Sequence, residues 1–478
     1  MPPQERKAEV ILRPILNRLV ACLLAGLTLV PGLAAERAAA APLLPLAPYK
    51  IRVLLALAPA PELTAAVERD LLADLPGRAD ALVGAAWELS VAAAPAALRA
   101  DAAEIENISA EAVLKESPDF DKVMLLRVEP PTGGYQVTAR ELDVRTRTFG
   151  VPVSRPARHV AKLADAAMRA LLSAFGPLGT IETVAGQQVT VRLRASALAP
   201  RDPGLELLTP GDALRPVIRV NDAAAAGAQI ARPAWTLLRV DVVTPEKTQC
   251  RLECGPRGAE LPSSAGRLES LALGVARSGR ATKLLLQSAG QPPRRLSGYD
   301  VYRTAADGQA DALVGRSNHD GAVLIPPGPT AMEVLSVRAG DQPLARLPLV
   351  SGAEAELTAT LPDAAPLIEA EGLLRGIEEE IVDQVTLRDS LIAQVQARIE
   401  AKRLDEAAAL FGELREMPTR DSLAQTLSAQ RKRLAAADAA LQQKIDDRFA
   451  ETTKLLDQYL NAEPLRKLGE ELKAAKGK

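Results

Sequence analysis

The chain has 478 residues, 25% of them charged, with a net charge of −2. That balance gives neither nucleic acid nor an anionic membrane surface a reason to bind the chain as a whole. Aromatic residues make up only 3%, so the cores must be built from Leu, Val, Ile and Ala, which bury less area each and act through many modest contacts. At roughly 150 residues per domain, the length predicts about three domains.

The first segment reads as a targeting signal. Arg6, Lys7, Arg13 and Arg18 precede or flank the start of the apolar run "LVACLLAGLTLVPGLAA" at Leu19, and Pro31–Gly32 breaks that run ahead of small residues. This is the pattern of a secretory signal peptide over 1–35, cut near Ala35 or a few residues later. The run falls short of the ~20 residues that a membrane span needs; an uncleaved anchor is the alternative. "LVAC" (Leu19–Cys22) resembles a bacterial lipobox, but Cys22 begins an apolar run where a lipobox cysteine ends one. No other stretch is apolar enough to span a bilayer. The expectation is an exported protein, periplasmic, cell-surface or secreted, with a linker over 36–48.

From Tyr49 strands and helices alternate. "YKIRVLLAL", "WELSVA" and "DKVMLLRVE" read as strands, and "GYQVTARELDVRTRTFG" as further alternating strands. "PELTAAVERDLLADL" has helical spacing at Leu63, Val67 and Leu71, with Pro61 suited to a first turn. "ISAEAVLKES" is a helix with Ser109 as its cap. "HVAKLADAAMRALLSAF" is an amphipathic helix with Val160, Leu163, Ala167 and Leu171 on one face. The alternation predicts an α/β domain with a mixed sheet over 49–176. Its element order, with "DKVMLLRV … GYQVTARELDV", resembles the amino-terminal domains of the TolB and curli-secretion-channel (CsgG) type of envelope protein, which implies a role in assembly and protein contacts. No Gly-rich phosphate loop follows a strand, so nucleotide binding is not expected.

"GTIETVAGQQVTVRLRASAL", "PAWTLLRVDVVTP" and "TQCRLECG", with turns at "PRDPG", "TPGD" and "CGPRG", predict a small β-barrel over 177–276. A strand, a glycine turn and "LTPGDALRPV" resemble the SH3-like barrels of flagellar and envelope accessory proteins, which implies partner binding. Cys250 and Cys254 alternate with Gln249, Arg251 and Glu253, placing both cysteines on the inner face of a strand. Residues four apart on a strand are about 13 Å apart, beyond the ~7 Å of a disulfide. Two readings follow: buried thiols, or a disulfide if Arg251–Glu253 forms a tight loop. No second cysteine pair or histidine cluster completes a zinc site.

"TKLLLQSAG", "LSGYDVYRT", "DALVGRSNHDGAVLIPPG", "AMEVLSVRAG", "QPLARLPLV" and "AELTATLP" predict a β-sandwich over 279–362. Asp320–Gly321 between two β runs is a hairpin signal, because Gly accepts positive φ and Asp bonds its own backbone. His319 then sits at an exposed turn rather than in a catalytic or metal site, and a calcium loop would need more carboxylates and a later Glu. "GYDVYR … LVGRSNHDGAVLIP", with Gly315, Ser317, Asn318, Asp320 and Gly321, resembles the turn of carboxypeptidase-regulatory and transthyretin-like β-domains.

From Pro366 to the end, a stripe of Leu374, Ile377, Ile381, Val385, Ile392, Val395 and Ile399 predicts one long helix. A bend and a short helix ending before Pro418 follow. A third helix carries Leu427, Leu434, Leu441, Ile445, Phe449, Leu456 and Leu460 at near-heptad spacing and is expected to end at Pro464, before a frayed basic tail. The helices over 366–478 are expected to close on each other as a hairpin; a coiled coil between chains, hence a homo-oligomer, is the alternative.

Nothing local carries catalysis. There is no GxSxG elbow, His159 and His319 fall in different predicted domains, and Cys250 and Cys254 have no basic partner beyond Arg251. Trp87 and Trp235 read as packing residues in strands, Glu378–Glu380 as a solvated helix face, and no basic–aromatic stretch suits nucleic acid. The fold class expected is multi-domain α+β: mixed-sheet α/β domain, small β-barrel, β-sandwich, helical tail. The texture, including "LARLPLV" ahead of a helical tail, resembles exported proteins of planctomycete-type bacteria. The function expected is a non-enzymatic envelope adaptor or scaffold without cofactor or metal, binding a protein partner through its β-domains, with the helical tail spacing or pairing the molecules. The alternatives are a cell-wall or carbohydrate-binding protein, and a hydrolase with its site in the α/β domain.

Overall fold

The computed structural model describes residues 44–478, apart from 102–104, 131–132, 221–227, 257–260, 265–266, 291, 305–310, 341 and 478. The signal segment and Cys22 lie outside the described residues. The protein is multi-domain with mixed α and β content.

The first sheet holds β1 (Tyr49–Leu57), β2 (Trp87–Ala93), β3 (Lys122–Glu129), β4 (Tyr135–Asp143), β5 (Thr148–Phe149) and β6 (Val153–Ala157), in the order β2-β1-β3-β4-β5 with β6 also on β4. β1 pairs in parallel with β2 and β3, and the remaining pairs are antiparallel. The unbroken apolar reading of β1 and β3 follows from burial on both faces. Ile51, Val53, Leu55, Met124 and Leu126 join the core under α1 (Ala65–Leu82), whereas Leu54, Ala56, Val123 and Leu125 join a second core with Leu98 of α2 (Ala96–Asp101) and Val113 of α3 (Ala110–Glu116). α4 (Leu163–Ala174) lies on the same side as α1. Ser109 caps α3 by accepting from Ala112 N at 3.2 Å. α1 differs from expectation. Pro61 lies in a turn before it, Thr64 is the cap, and the helix runs through Pro76 to Leu82. The lost backbone bond at Pro76 is offset because Leu75, Ala79 and Val83 are all buried on the sheet.

β7 (Leu178–Ala185), β8 (Gln188–Leu193), β9 (Ala213–Val220), β10 (Gln229–Ala231), β11 (Thr236–Val243), β12 (Thr248–Cys254) and β13 (Leu268–Gly274) form an antiparallel sheet. Six of them close as β9-β11-β12-β8-β7-β13 and back to β9, and β10 hangs on β9. Closure removes the sheet edges. Ile181, Val191, Leu214, Leu238, Val240 and Cys250 fill the interior.

Two facing sheets follow. β14 (Thr282–Ser288) sits between β17 (Ala322–Ile325) and β20 (Glu356–Leu361), and the second sheet has the order β16 (Ala312–Arg316), β15 (Asp300–Arg303), β18 (Glu333–Ala339), β19 (Gln342–Leu349). Their core continues without a break into the helical tail. Leu284, Leu286 and Leu335 belong to one buried cluster with Leu367, Leu374, Leu427, Ile445 and Phe449.

The tail holds five helices where three were expected: α5 (Ala365–Glu400), α6 (Leu404–Glu416), α7 (Arg420–Arg433), α8 (Ala439–Tyr459) and α9 (Glu463–Lys476). The supposed third helix breaks at 434–438, where Asp438 Oδ1 accepts from Ala440 N and Leu441 N, both at 3.0 Å. α7 and α8 fold back on each other, with Arg431–Asp446 at 2.7 Å and Arg420–Asp457 at 2.6 Å. Leu434 and Leu441 are buried in this hairpin, so the same leucine spacing satisfies a straight or a broken helix. Pro464 stands in the first turn of α9, where its missing N–H costs nothing, rather than ending α8. α9 packs Leu468 and Leu472 on Val395 and Ala407. Among the described residues no helix is long and apolar enough to cross a membrane.

The first sheet and the barrel meet at a buried lysine. Lys122 opens β3, opposite Asp143 on β4, with Glu141 one step along the same face. Its Nζ is wholly buried and donates to Glu141 Oε1 at 2.6 Å, Asp143 Oδ2 at 3.1 Å and the Gly176 carbonyl at 2.6 Å. Gly176 N donates to Glu141 Oε2 at 2.8 Å. The rings of Phe175 and Tyr49 flank the ammonium at 5.1 and 5.6 Å. The Tyr49 hydroxyl accepts from Leu178 N at 2.9 Å and donates to Leu178 O at 3.2 Å. Gly176 must be glycine: a Cβ there would lie 2.3 Å from the Gly274 carbonyl at the end of the barrel.

One ammonium serves two carboxylates out of water. Burial raises Glu141 to about 7 against the pull of Lys122, with the Asp143 charge adding to the rise. For Lys122 burial works against the charge, but Glu141 and Asp143 outweigh it and hold its pKa above the ordinary value.

Removing Lys122 leaves two carboxylates buried without a cation. Lys122→Met is expected to cost about 3–5 kcal/mol in chemical denaturation. Glu141 binds its proton more tightly folded than unfolded, from its ordinary 4.5 to about 7. Its contribution is therefore fully present below the lower value and is lost as pH rises through the upper one. Glu141→Gln is expected to remove that fall from the stability–pH profile; an unchanged profile would contradict the assignment.

Candidate functional site: an arginine-lined cleft

Sequence reasoning singled out the 315–321 turn and the two cysteines. At the turn, Asn318 Oδ1 accepts from Asp320 N at 3.0 Å and Ala322 N at 2.9 Å, and Gly321 N donates to Asn318 O at 2.9 Å. Asn318, not Asp320, makes the side-chain turn bonds. Gly321 takes φ +71°, and a Cβ on it would lie 2.4 Å from Leu286 O. Gly315 is in β16, with Val323 Cγ1 3.3 Å from where its Cβ would stand. Contrary to the hairpin expectation, the turn joins strands of opposite sheets, since β16 pairs with β15 and β17 with β14. The same turn chemistry serves a hairpin or an arch between sheets, so the sequence does not separate them. The His319 side chain is 87% exposed and lies 3.2 Å from the Asp320 carboxylate.

Both cysteines are free, Cys250 buried and Cys254 half-buried. Their strand runs straight, with Cys250 opposite Val240 and Cys254 opposite Thr236, so no tight loop brings them together. Burial, with Asp241 adding, pushes the Cys250 thiol up to about 12, which leaves it unreactive. His159 is exposed beside a short 3-10 turn. Among the described residues no group of three His, Cys, Asp or Glu is placed to hold a metal.

The structure instead assembles a cleft of about 920 Å³ where the first sheet, the barrel and the sandwich meet. Five arginines and three glutamates line it. Each glutamate is already taken: Glu106 by Arg280 at 2.5 Å, Glu354 by Arg215 at 2.6 Å, and Glu356 by Lys283 at 2.9 Å. Arg140, Arg147 and Arg232 have no carboxylate within ion-pair distance among the described residues. Arg140 donates to the carbonyls of Gly150 (3.1 Å), Ile105 (2.8 Å) and Glu106 (3.0 Å) and lies 4.1 Å over the Phe149 ring. Arg232 donates to Thr148 Oγ1 (3.1 Å) and to the carbonyls of Thr146 (3.3 Å) and Arg147 (3.1 Å). Burial and then the neighbouring Arg215 lower the pKa of Arg232, though its residue surface still opens to solvent.

The buried lysine cluster reaches this cleft through the β4–β5 turn. Asp143 spends one oxygen on Lys122 and the other on Thr146, accepting from its N at 2.8 Å and its Oγ1 at 2.7 Å. That fixes the turn whose carbonyls hold Arg232. Arg147 completes the turn at φ +50°, and Trp235, which also lines the cleft, takes φ +51°. Left-handed backbone at non-glycine residues concentrates where function holds a strained shape. Trp235 is therefore not the strand residue expected from sequence; it precedes β11. The cleft itself was missed because its arginines come from five separate elements.

No family model matches the chain, and no curated protein matches it. Among solved structures it is similar to a lipoprotein from Neisseria meningitidis, with 19% identity over 26% of this chain and 91% of that one and a TM-score of 0.16. It is also similar to TolB from Acinetobacter baumannii, with 12% identity over 64% of this chain and 94% of that one and a TM-score of 0.16.

Gly321→Ala is expected to lower stability by about 1–3 kcal/mol through backbone strain, while His319→Ala stays within about 0.5 kcal/mol. Thermal unfolding of the two variants checks the pair. A larger loss at His319 than at Gly321 would reverse the assignment.

Proposed function

We propose that the protein is an exported, non-enzymatic envelope adaptor that holds a partner protein in the arginine-lined cleft. The observation that carries the reading is the excess of guanidinium over carboxylate in a cleft to which the first sheet, the barrel and the sandwich all contribute. Such a site recognises charge and shape without needing a nucleophile or base. The basic and apolar start of the sequence supports export. The two histidines stand apart and exposed, which favours contact over catalysis. The helical tail shares its core with the sandwich, which supports reading the two as packed together rather than as separate modules.

The test uses the full chain, because ending it at Asp363 would uncover the sandwich core. A photo-crosslinking residue replaces Ala355, exposed in the cleft, or Ala393, exposed on α5. The adaptor reading expects a protein adduct in the native envelope from position 355, lost when Arg147 and Arg232 are changed to Gln. A glycan adduct instead would favour the cell-wall alternative. No adduct at either position, together with turnover found by substrate screening, would favour a hydrolase.

A further inference from the structure

The cleft says more about its occupant than its charge. One wall is the start of β20, where Glu356, Leu357 and Thr358 line the cleft together with Glu354 and Ala355 just ahead of the strand. β20 stands at the edge of its sheet, with β14 as its one strand neighbour among the described residues. Such an edge offers backbone donors and acceptors to another extended chain. The arginines do not come from one point. Arg140 is in β4, Arg147 in the β4–β5 turn, Arg215 in β9, Arg232 after β10 and Arg280 ahead of β14. Charges spread around a groove suit spaced negative charges better than a single small anion, which needs donors converging on one place. The Phe149 and Trp235 side chains add apolar surface between them.

From this placement we infer that the cleft docks an extended, acidic segment of a partner protein, laid along β20 with its carboxylates on Arg147, Arg215 and Arg232. This rests on the adaptor reading above and names the partner's chemistry. Glu354 acts as an internal stand-in. Its carboxylate on Arg215 occupies, in the free protein, one of the positions that a ligand carboxylate would take. Glu354 pairs with Arg215 and leaves the neighbouring Arg232 without a carboxylate at ion-pair distance among the described residues, so a second carboxylate from outside would relieve the repulsion between the two guanidinium groups.

The experiment measures fluorescence polarisation of a labelled peptide of alternating Glu and Thr, about ten residues long to cover the strand, against the full-length protein. The alternating Gln and Thr peptide and free glutarate serve as comparisons. The acidic peptide is expected to bind and to weaken with added salt. The R147Q/R232Q protein should bind about tenfold more weakly. E354Q, which removes the internal competitor, should bind several-fold more tightly; a merely structural role for Glu354 predicts no gain. Should R147Q/R232Q fail to fold, the E354Q result decides alone. Equal binding of the Gln–Thr peptide, or unchanged affinity in both variants, overturns the inference. Glutarate binding as tightly as the peptide also overturns it, in favour of a small-anion site. If no peptide binds while position 355 still gives a protein adduct, the acidic segment is refuted and the adaptor reading stands. If both fail, both readings fall.

Discussion

The fold turns on one ammonium group held out of water. Lys122 bonds two carboxylates and a carbonyl in a space closed by Tyr49 and Phe175. A buried ion cluster of this kind contributes little net stability compared with apolar packing, but breaking it is costly. Its effect is therefore on geometry. Because every donor on Lys122 must be met, the end of β4, the start of β7 and the chain after α4 can dock in only one arrangement. Arg194 reinforces the same junction from outside, bonding Asp121 at 2.8 Å and the Pro48 carbonyl at 2.6 Å.

That constraint propagates outward through a short chain of hydrogen bonds. Asp143 joins Lys122 to Thr146, and the carbonyls of Thr146 and Arg147 hold Arg232 at the cleft. On the far side, Arg215 to Glu354 ties the barrel to the sandwich, and Arg280 to Glu106 ties the sandwich to the first sheet. These ion pairs add to apolar contacts between the three β-bearing units: Val217, Leu271 and Leu273 of the barrel join the core of the first sheet, and Ala213 and Leu237 pack with Met332 and Val350 of the sandwich. The cleft is what remains between the units, and the tail joins the sandwich by a continuous apolar core through Leu367 and Leu374. Along α5 that core gives way to the buried polar pair Gln384 and Arg388, the latter donating to the Asn461 carbonyl beyond α8. A second small core around Val395 and Leu468 follows.

Local chemistry was legible in the sequence and long-range pairing was not. The strand runs "YKIRVLLAL" and "TKLLLQSAG", the Ser109 cap and the glycine at 321 all follow from residue type and period. The barrel strands were visible, but their closure depends on β9 meeting β13, some fifty residues apart in sequence. Lys122, Glu141 and Asp143 read as ordinary polar positions at strand ends. Only the β3–β4 register makes them neighbours, although the i, i+2 spacing of the two acids on one strand face was a usable sign. The heptad of the tail concealed a hairpin because burial of Leu434 and Leu441 is indifferent to the break. The cleft was invisible for the same reason as the lysine cluster: its residues share a place in space and no place in the sequence.

The central claim is that the buried lysine cluster sets the cleft through the 143–148 turn. Hydrogen exchange of the Asp143→Asn protein tests it most directly, since that change weakens the link to Lys122 and to Thr146 at once. The account predicts faster exchange across 143–150 and also across 230–236, with β18 and β19 of the sandwich as protected as before. Faster exchange confined to 143–150, with 230–236 unchanged, would show that the cleft is held independently and would contradict it.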